Sequence, residues 1–383
     1  MSACIAGMGW VTPLGSGLKE VWNRLETGDQ PPRGNLVDPA GRKPYLAYRV
    51  PQNALNDLPP HPRLRRSSAI SKFAAAAGLA ALQDAGLSAN DLASARMALI
   101  FAVANGGVIY TKRFYSDIVS IGAEAASPLL FPETVFNAAA SHLAAIIGLS
   151  GATYTVVGDG AVGLTAIQMA QDLLASGSVD LCLVVAAEEA DWLLCDAYHR
   201  WRLLRRDPPL RVFGSANQGT ILSEGGGALL LTNNSGAVRV AAITAGRCFS
   251  ARKEAAAVLA ASLREVGATQ DAAVIGSANG TFIDTAELQA LREVCPNAVI
   301  YEPKTALGEG IAASALWQMI VAALALKVGR LPQTRELSQP DIENAQSVNR
   351  GIDQTIVLSC GLNQQAGATR LVLSVASPPA SSG

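Results

Sequence analysis

The chain has 383 residues, half of them apolar and only 16% charged, against roughly 25% charged in an ordinary soluble domain. Such a composition demands a large core, or surface buried against another subunit, in one large or two medium domains. A formal net charge of −1 supplies no global field that would hold nucleic acid or an anionic membrane.

Short β-branched runs alternate with long alanine-rich segments along the chain. A strand over Ala3–Met8 and a helix over Leu18–Leu25 come first. The proline-rich residues 29–62 read as a long surface loop, and Lys72–Leu82, apolar all round, as a helix buried on more than one side. Strands follow at Ala98–Val103 and Thr153–Val157, then a helix over Leu164–Ala175 and strands at Leu181–Ala186 and Ala228–Leu231. After the turn Thr232–Gly236 the theme repeats, with strands Val238–Thr244, Ala272–Ser277, Ala298–Tyr301, Gln354–Ser359 and Thr369–Val375. The helices of this half are Glu254–Val266, Thr285–Val294 and Ala312–Lys327. Alternation of this kind predicts an α/β fold with buried sheets, here an α/β/α/β/α sandwich of two similar halves, residues 1–232 and 233–383. The tail Ser377–Gly383 reads as frayed.

Six cysteines without C-x-x-C spacing, and an amino terminus that runs straight into a strand, predict a cytoplasmic setting. No apolar run reaches the length of a membrane span, and the scattered His61, His142 and His199 suggest no metal site. The basic clusters Arg63, Arg65, Arg66 and Arg200, Arg202, Arg205, Arg206 read as solvated surface, with docking of an acidic carrier protein as the alternative. The stretch from Val156 to Ala166 is a strand, a sharp bend and a helix start, where enzymes often mount a nucleophile. Glycine, Gly160, stands at its tip.

Several motifs in order resemble the β-ketoacyl-acyl-carrier-protein synthases of the thiolase superfamily. They are the opening Gly7-Met8-Gly9-Trp10-Val11-Thr12-Pro13-Leu14-Gly15, the helix end Ala80–Leu87, Ser176–Asp180 leading to Glu188, and Ser223-Glu224-Gly225-Gly226-Gly227-Ala228-Leu229. The resemblance implies a cysteine nucleophile at the start of the central helix, activated by the helix dipole, and two histidines that stabilise the enolate and oxyanion. Gly160 stands at the cysteine position, Asn279 and Glu309 at the two histidine positions, and Lys304 is retained. Leu362 takes the place of the gating phenylalanine near the carboxyl end, with Cys360 beside it.

The resemblance therefore implies a chain length factor: a subunit with no activity as an isolated chain that pairs with an active ketosynthase and shapes its acyl tunnel. Type II polyketide and aryl polyene pathways use such pairs. Lys304 and Glu309 are expected to neutralise each other, and Asp159 to cap the helix. The seam strand falls at Thr153–Val157, with Thr153 and Tyr154 at the interface. Residues 105–118 and 131–137 fall beside it, and Tyr110, Phe114 and Phe136 are candidate gates. The acyl carrier protein is an indirect partner; no cofactor, nucleic acid or membrane enters. The alternatives are an acyl-processing enzyme that uses Cys360 or Asp159, and a homodimeric acyl-binding protein.

Overall fold

A computed structural model describes residues 3–41, 43–214, 218–233, 236–332 and 351–374. In each half, five strands lie in the same spatial order. The first half uses Cys4–Thr12, Met97–Val103, Thr153–Val157, Leu181–Glu188 and Gly225–Thr232; the second uses Val238–Cys248, Ala273–Ile275, Val299–Tyr301, Gln354–Cys360 and Gln365–Leu373. Both sheets run third, second, fourth, fifth, first, with the same parallel and antiparallel pairings. The two first strands meet antiparallel at Cys4–Arg239 and Ile5–Val238, so the halves join into one hydrogen-bonded sheet.

Helices fill three layers around this sheet. Val162–Ala175 and Ala312–Val328, each following the third strand of its half, form the central layer. Fourteen of the seventeen residues of Ala312–Val328 are buried, which is why its sequence carries no polar face. The two helices touch where a Cβ on Gly163 would lie 2.8 Å from that of Ala315, so this approach requires glycine. Ala69–Asp84 and Ala138–Ile146 pack Phe73, Ala77 and Leu143 on the outer face of the first half. Ala255–Glu265 and Phe282–Val294 do the same in the second with Leu259, Leu263 and Ile283. The five-layered α/β/α/β/α order is the one that the alternation of strand and helix segments predicts.

Residues 29–62 depart from the loop reading. Arg33–Val37 and Pro44–Tyr48 form a hairpin that Leu222–Ser223 extends into a second, three-stranded sheet. Tyr45 and Ala47 are buried on one face of the strand and Tyr48 on the other. The short run Pro44–Tyr48, which holds no charged residue, is the local signal, and the surrounding prolines and polar residues hide it. Asn234 and Ser235 of the turn between halves, Val375 and the tail Ser377–Gly383 lie outside the described residues. No helix among the described residues is long and apolar enough to cross a membrane.

Gly163→Ala is expected to push the central helices apart and cost about 1–3 kcal/mol, read from the urea midpoint. Unchanged stability would rule out the close crossing.

Candidate functional site

The strand Thr153–Val157 ends in the bend 158–161, and the central helix starts at Val162 behind Ala161, which offers no side-chain cap. Asp159 does not cap this helix. Its Oδ2 accepts from the backbone N–H groups of Asn363, Gln364 and Gln365 at 3.0, 2.8 and 3.3 Å. Its own N–H donates to Gln365 Oε1 at 2.8 Å. The bend points the carboxylate across the elbow to the loop after Gln354–Cys360, more than 200 residues on, where three free amides out-compete the helix end. Gly361 must be glycine there, because a Cβ would overlap the Asp159 carboxylate. Gly160 itself is buried, and a Cβ on it would lie 3.0 Å from Gly361 Cα. The loop backbone thus crowds the place where the resemblance puts a nucleophile.

Below the elbow sits a buried polar cluster. Lys304 Nζ donates to Glu309 Oε2 at 2.8 Å and to Ser277 Oγ at 3.2 Å. Asn279 Nδ2 donates to the same Glu309 oxygen at 2.7 Å, while Ser314 Oγ and Ile311 N–H donate to Oε1 at 3.0 Å each. With donors on both oxygens, burying this ion pair is tolerable. Main-chain bonds also seat Glu309, its N–H donating to Ile221 C=O and its C=O accepting from Ser223 N–H. The strand Leu222–Ser223 of the small sheet therefore roofs the site. Ser277 Oγ spends its whole capacity: it donates to Cys360 C=O and accepts from Lys304 and Cys360 N–H.

Carboxyl groups crowd the layer behind this cluster. Glu287 and Glu302 are fully buried and face each other across Gly276. Burial pushes both acids up, and for Glu302 the neighbouring Glu287 adds to the rise. Glu287 Oε2 still accepts from Ser277 N–H at 2.7 Å. Burial likewise lifts Glu188, at the end of Leu181–Glu188, to about 8.

Cys360 is fully buried, and burial pushes its thiol up. Its Sγ contacts only the Gly361 carbonyl among its hydrogen-bond partners, so it lacks the electropositive, accessible setting of a reactive thiol. Two cavities flank the elbow. The inner, about 20 Å³, is lined by Asp159, Gly160, Tyr198, Glu309, Ile311, Leu362 and Asn363; it has room for about one water. The outer, about 210 Å³, shares Tyr198, Leu362 and Asn363 with it and adds Trp201, Leu203 and Arg252.

Tyr110, Phe114 and Phe136 line neither cavity. Tyr110 and Phe114 are half-buried on the helix Val108–Ile121, and burial raises the Tyr110 phenol to about 12. Phe114 rests on Phe131, with ring centroids 5.6 Å apart, and Phe136 is exposed against Gly106. Thr153 is exposed and Tyr154 half-buried on the sheet's last strand. Motif reading misses Tyr198, Ser314 and Glu302, and it passes through Ser277 and Glu287, in the segments 276–281 and 284–287, without giving them a role. Their partners come from other elements.

Residues 2–237 match the β-ketoacyl synthase N-terminal domain and residues 235–338 the β-ketoacyl synthase C-terminal domain. The chain belongs to the β-ketoacyl synthase family, with its thiolase-like fold. It is 24% identical over 371 residues to 3-oxoacyl-[acyl-carrier-protein] synthase 2 of Vibrio cholerae serotype O1, covering 88% of this chain and 89% of that protein. Among solved structures it is similar to the ishigamide ketosynthase/chain length factor, at TM-score 0.85 and 22% identity over 98% of this chain and 99% of the other. It is also similar to a chain of AntDE:AntF, a type II PKS acyl-carrier protein in complex with its ketosynthase, at TM-score 0.82 and 18% identity over 97% and 99%.

These relatives correct one expectation. Proteins named as 3-oxoacyl-[acyl-carrier-protein] synthase 2 align with nearly nine-tenths of the chain, so residues missing at three positions do not make the isolated chain a non-enzyme.

Lys304→Met is expected to cost about 3–5 kcal/mol by stranding Glu309. Lys304→Met with Glu309→Gln should recover much of that loss in a double-mutant cycle, and full additivity would deny the pairing. For Glu302→Gln the pH dependence is the diagnostic. Above the ordinary carboxylate value of 4.5, the unfolded chain releases a proton that the native chain keeps, so rising pH erodes native stability until the raised native value is passed. The variant loses this drain and is expected to gain on wild type by up to about 1.4 kcal/mol per pH unit as pH rises from the ordinary carboxylate value towards the raised native one. A gain independent of pH in thermal melts would refute the raised Glu302 value.

Proposed function

We propose that the chain is the chain-length-factor-like member of a ketosynthase pair, docking an active β-ketoacyl synthase and helping to enclose the acyl chain that a carrier protein delivers. The setting is polyketide, aryl polyene or fatty-acid-like synthesis. One observation carries this reading: the sheet ends on Thr153–Val157, which pairs with Met97–Val103 on one side and, among the described residues, with no strand on the other. An open edge is a template for a second chain. Val157 of this strand is 50% exposed, and the preceding segment of the same half exposes further large apolar side chains, among them Val119 at 84% and Ile121 at 75%. Exposed apolar area of this kind marks an interaction face. Gly160 has no thiol, so in this pair the thioester would form on the partner's cysteine, consistent with likeness to the ishigamide ketosynthase/chain length factor.

A second reading gives this chain acyl chemistry of its own. It is favoured by the relatives named 3-oxoacyl-[acyl-carrier-protein] synthase 2, and it needs a group other than residue 160.

Co-expression with a ketosynthase bearing the Cys-His-His set, followed by light scattering, tests the first reading. A 1:1 complex is expected, weakened about tenfold or more by Val157→Asp or Ile121→Asp. Absence of a complex, or one indifferent to both changes, would reject it. Intact mass after incubation with acyl-loaded carrier protein tests the second, since acylation of this chain supports it.

A further inference from the structure

None of the fourteen residues of the helix Val108–Ile121 is buried. Between residues 108 and 137, among the described residues, Glu133 alone is buried. The stretch is rich in apolar side chains, yet the one group it commits to the interior is an acid. Glu133 Oε1 bonds His142 Nε2 at 2.7 Å, and Oε2 accepts from the Ser68 N–H at 2.9 Å and from Ser71 Oγ at 3.2 Å. Ser68 is the N-cap of Ala69–Asp84, so the carboxylate also lies at the positive end of that helix. Burial by itself would raise the Glu133 carboxyl, but the bonds from His142 and Ser68 hold it down at about 2. An ionised carboxylate only accepts, so His142 Nε2 is the donor. His142 Nδ1 is left buried without a hydrogen-bond partner, a cost that the charge-assisted bond to Glu133 offsets.

The rest of the stretch is tied to the turn that carries Glu133. Phe114 rests on Phe131, Thr111 Oγ1 donates to the Thr134 C=O at 3.3 Å, and a Cβ on Gly107 would lie 1.9 Å from the Glu133 carbonyl oxygen, which demands glycine there. Tyr110 adds a contact to the Ala69 backbone. His142 belongs to Ala138–Ile146, which packs on Met97–Val103 and Thr153–Val157. We infer that Glu133 is a positioning residue: through His142, Ser68 and Ser71 it anchors residues 108–137 as one arm, and releasing it frees the arm without loosening the central helices. The arm's use rests on the pairing proposed above. It follows directly on Met97–Val103, the neighbour of the open edge strand, and an arm already held in place spares the ketosynthase partner the cost of ordering it.

Hydrogen exchange on the full chain reads the anchor without a partner. In Glu133→Gln and in His142→Phe, the amides of residues 112–121 are expected to exchange about tenfold or more faster, while those of Val162–Ala175 and Ala312–Val328 keep their wild-type rates. Because the two side chains act on one contact, the double variant should exchange no faster than the quicker single one. Toward a ketosynthase that the wild-type chain binds, Glu133→Gln is expected to be about tenfold weaker. Unchanged exchange over 112–121, acceleration shared equally by the central helices, or additive acceleration in the double variant would overturn the anchor, and an equally tight complex would overturn its part in pairing. A wild-type chain that binds no ketosynthase would reject the pairing itself, and the exchange rates would still judge the anchor.

Discussion

A carboxylate removed from water must find donors for its lone pairs or give up its charge, and the site is organised around Glu309 meeting that condition. Its four donors come from Lys304, Asn279, Ser314 and the Ile311 backbone, so the end of Val299–Tyr301, the loop after Ala273–Ile275 and the start of the long central helix are fixed relative to one another. Lys304 carries the constraint on to Ser277, and Ser277 to both backbone groups of Cys360. From Cys360 the chain runs directly into the loop that Asp159 holds. One network therefore links the second half's core to the elbow of the first.

This arrangement separates shape from chemistry. The helix N-terminus, the elbow and the glycine loop keep the geometry in which a nucleophile would be useful, while the groups occupying it are closed on one another. Glu309 is satisfied by neighbours, Cys360 is sealed in the outer core, and the Gly160 position is crowded by Gly361. Both Glu309 oxygens are matched, whereas Asp159 Oδ1 beside them is buried without a hydrogen-bond partner. The same matching means that chemistry on this chain would have to begin by breaking some of these contacts.

The parts of the fold legible in the sequence are those where one residue's environment follows from its neighbours in the chain. Val238–Thr244 and Ala228–Leu231, the cores of the strands Val238–Cys248 and Gly225–Thr232, show as β-branched or apolar runs, and Ala312–Val328 betrays its central place by having no polar face. The hairpin within residues 29–62 is less legible, because the surrounding proline and polar residues hide the short run Pro44–Tyr48. At the site, motif order locates Gly160, Asn279, Lys304 and Glu309, but says nothing of Ser277, Ser314 or the Glu287–Glu302 pair. Those roles exist only once separate elements are packed together.

Asp159 shows the same boundary most clearly. An acid just ahead of a helix has a standing local use as a cap, and local reasoning assigns it that use. The alternative partners lie in Asn363, Gln364 and Gln365, and only the antiparallel pairing of Gln354–Cys360 with Gln365–Leu373 places the loop between them over the elbow. Because that pairing belongs to the second half and the elbow to the first, the contact is a property of how the duplicated halves meet. Its counterpart cannot be found in either half alone: the contact exists only where two halves built to the same plan meet.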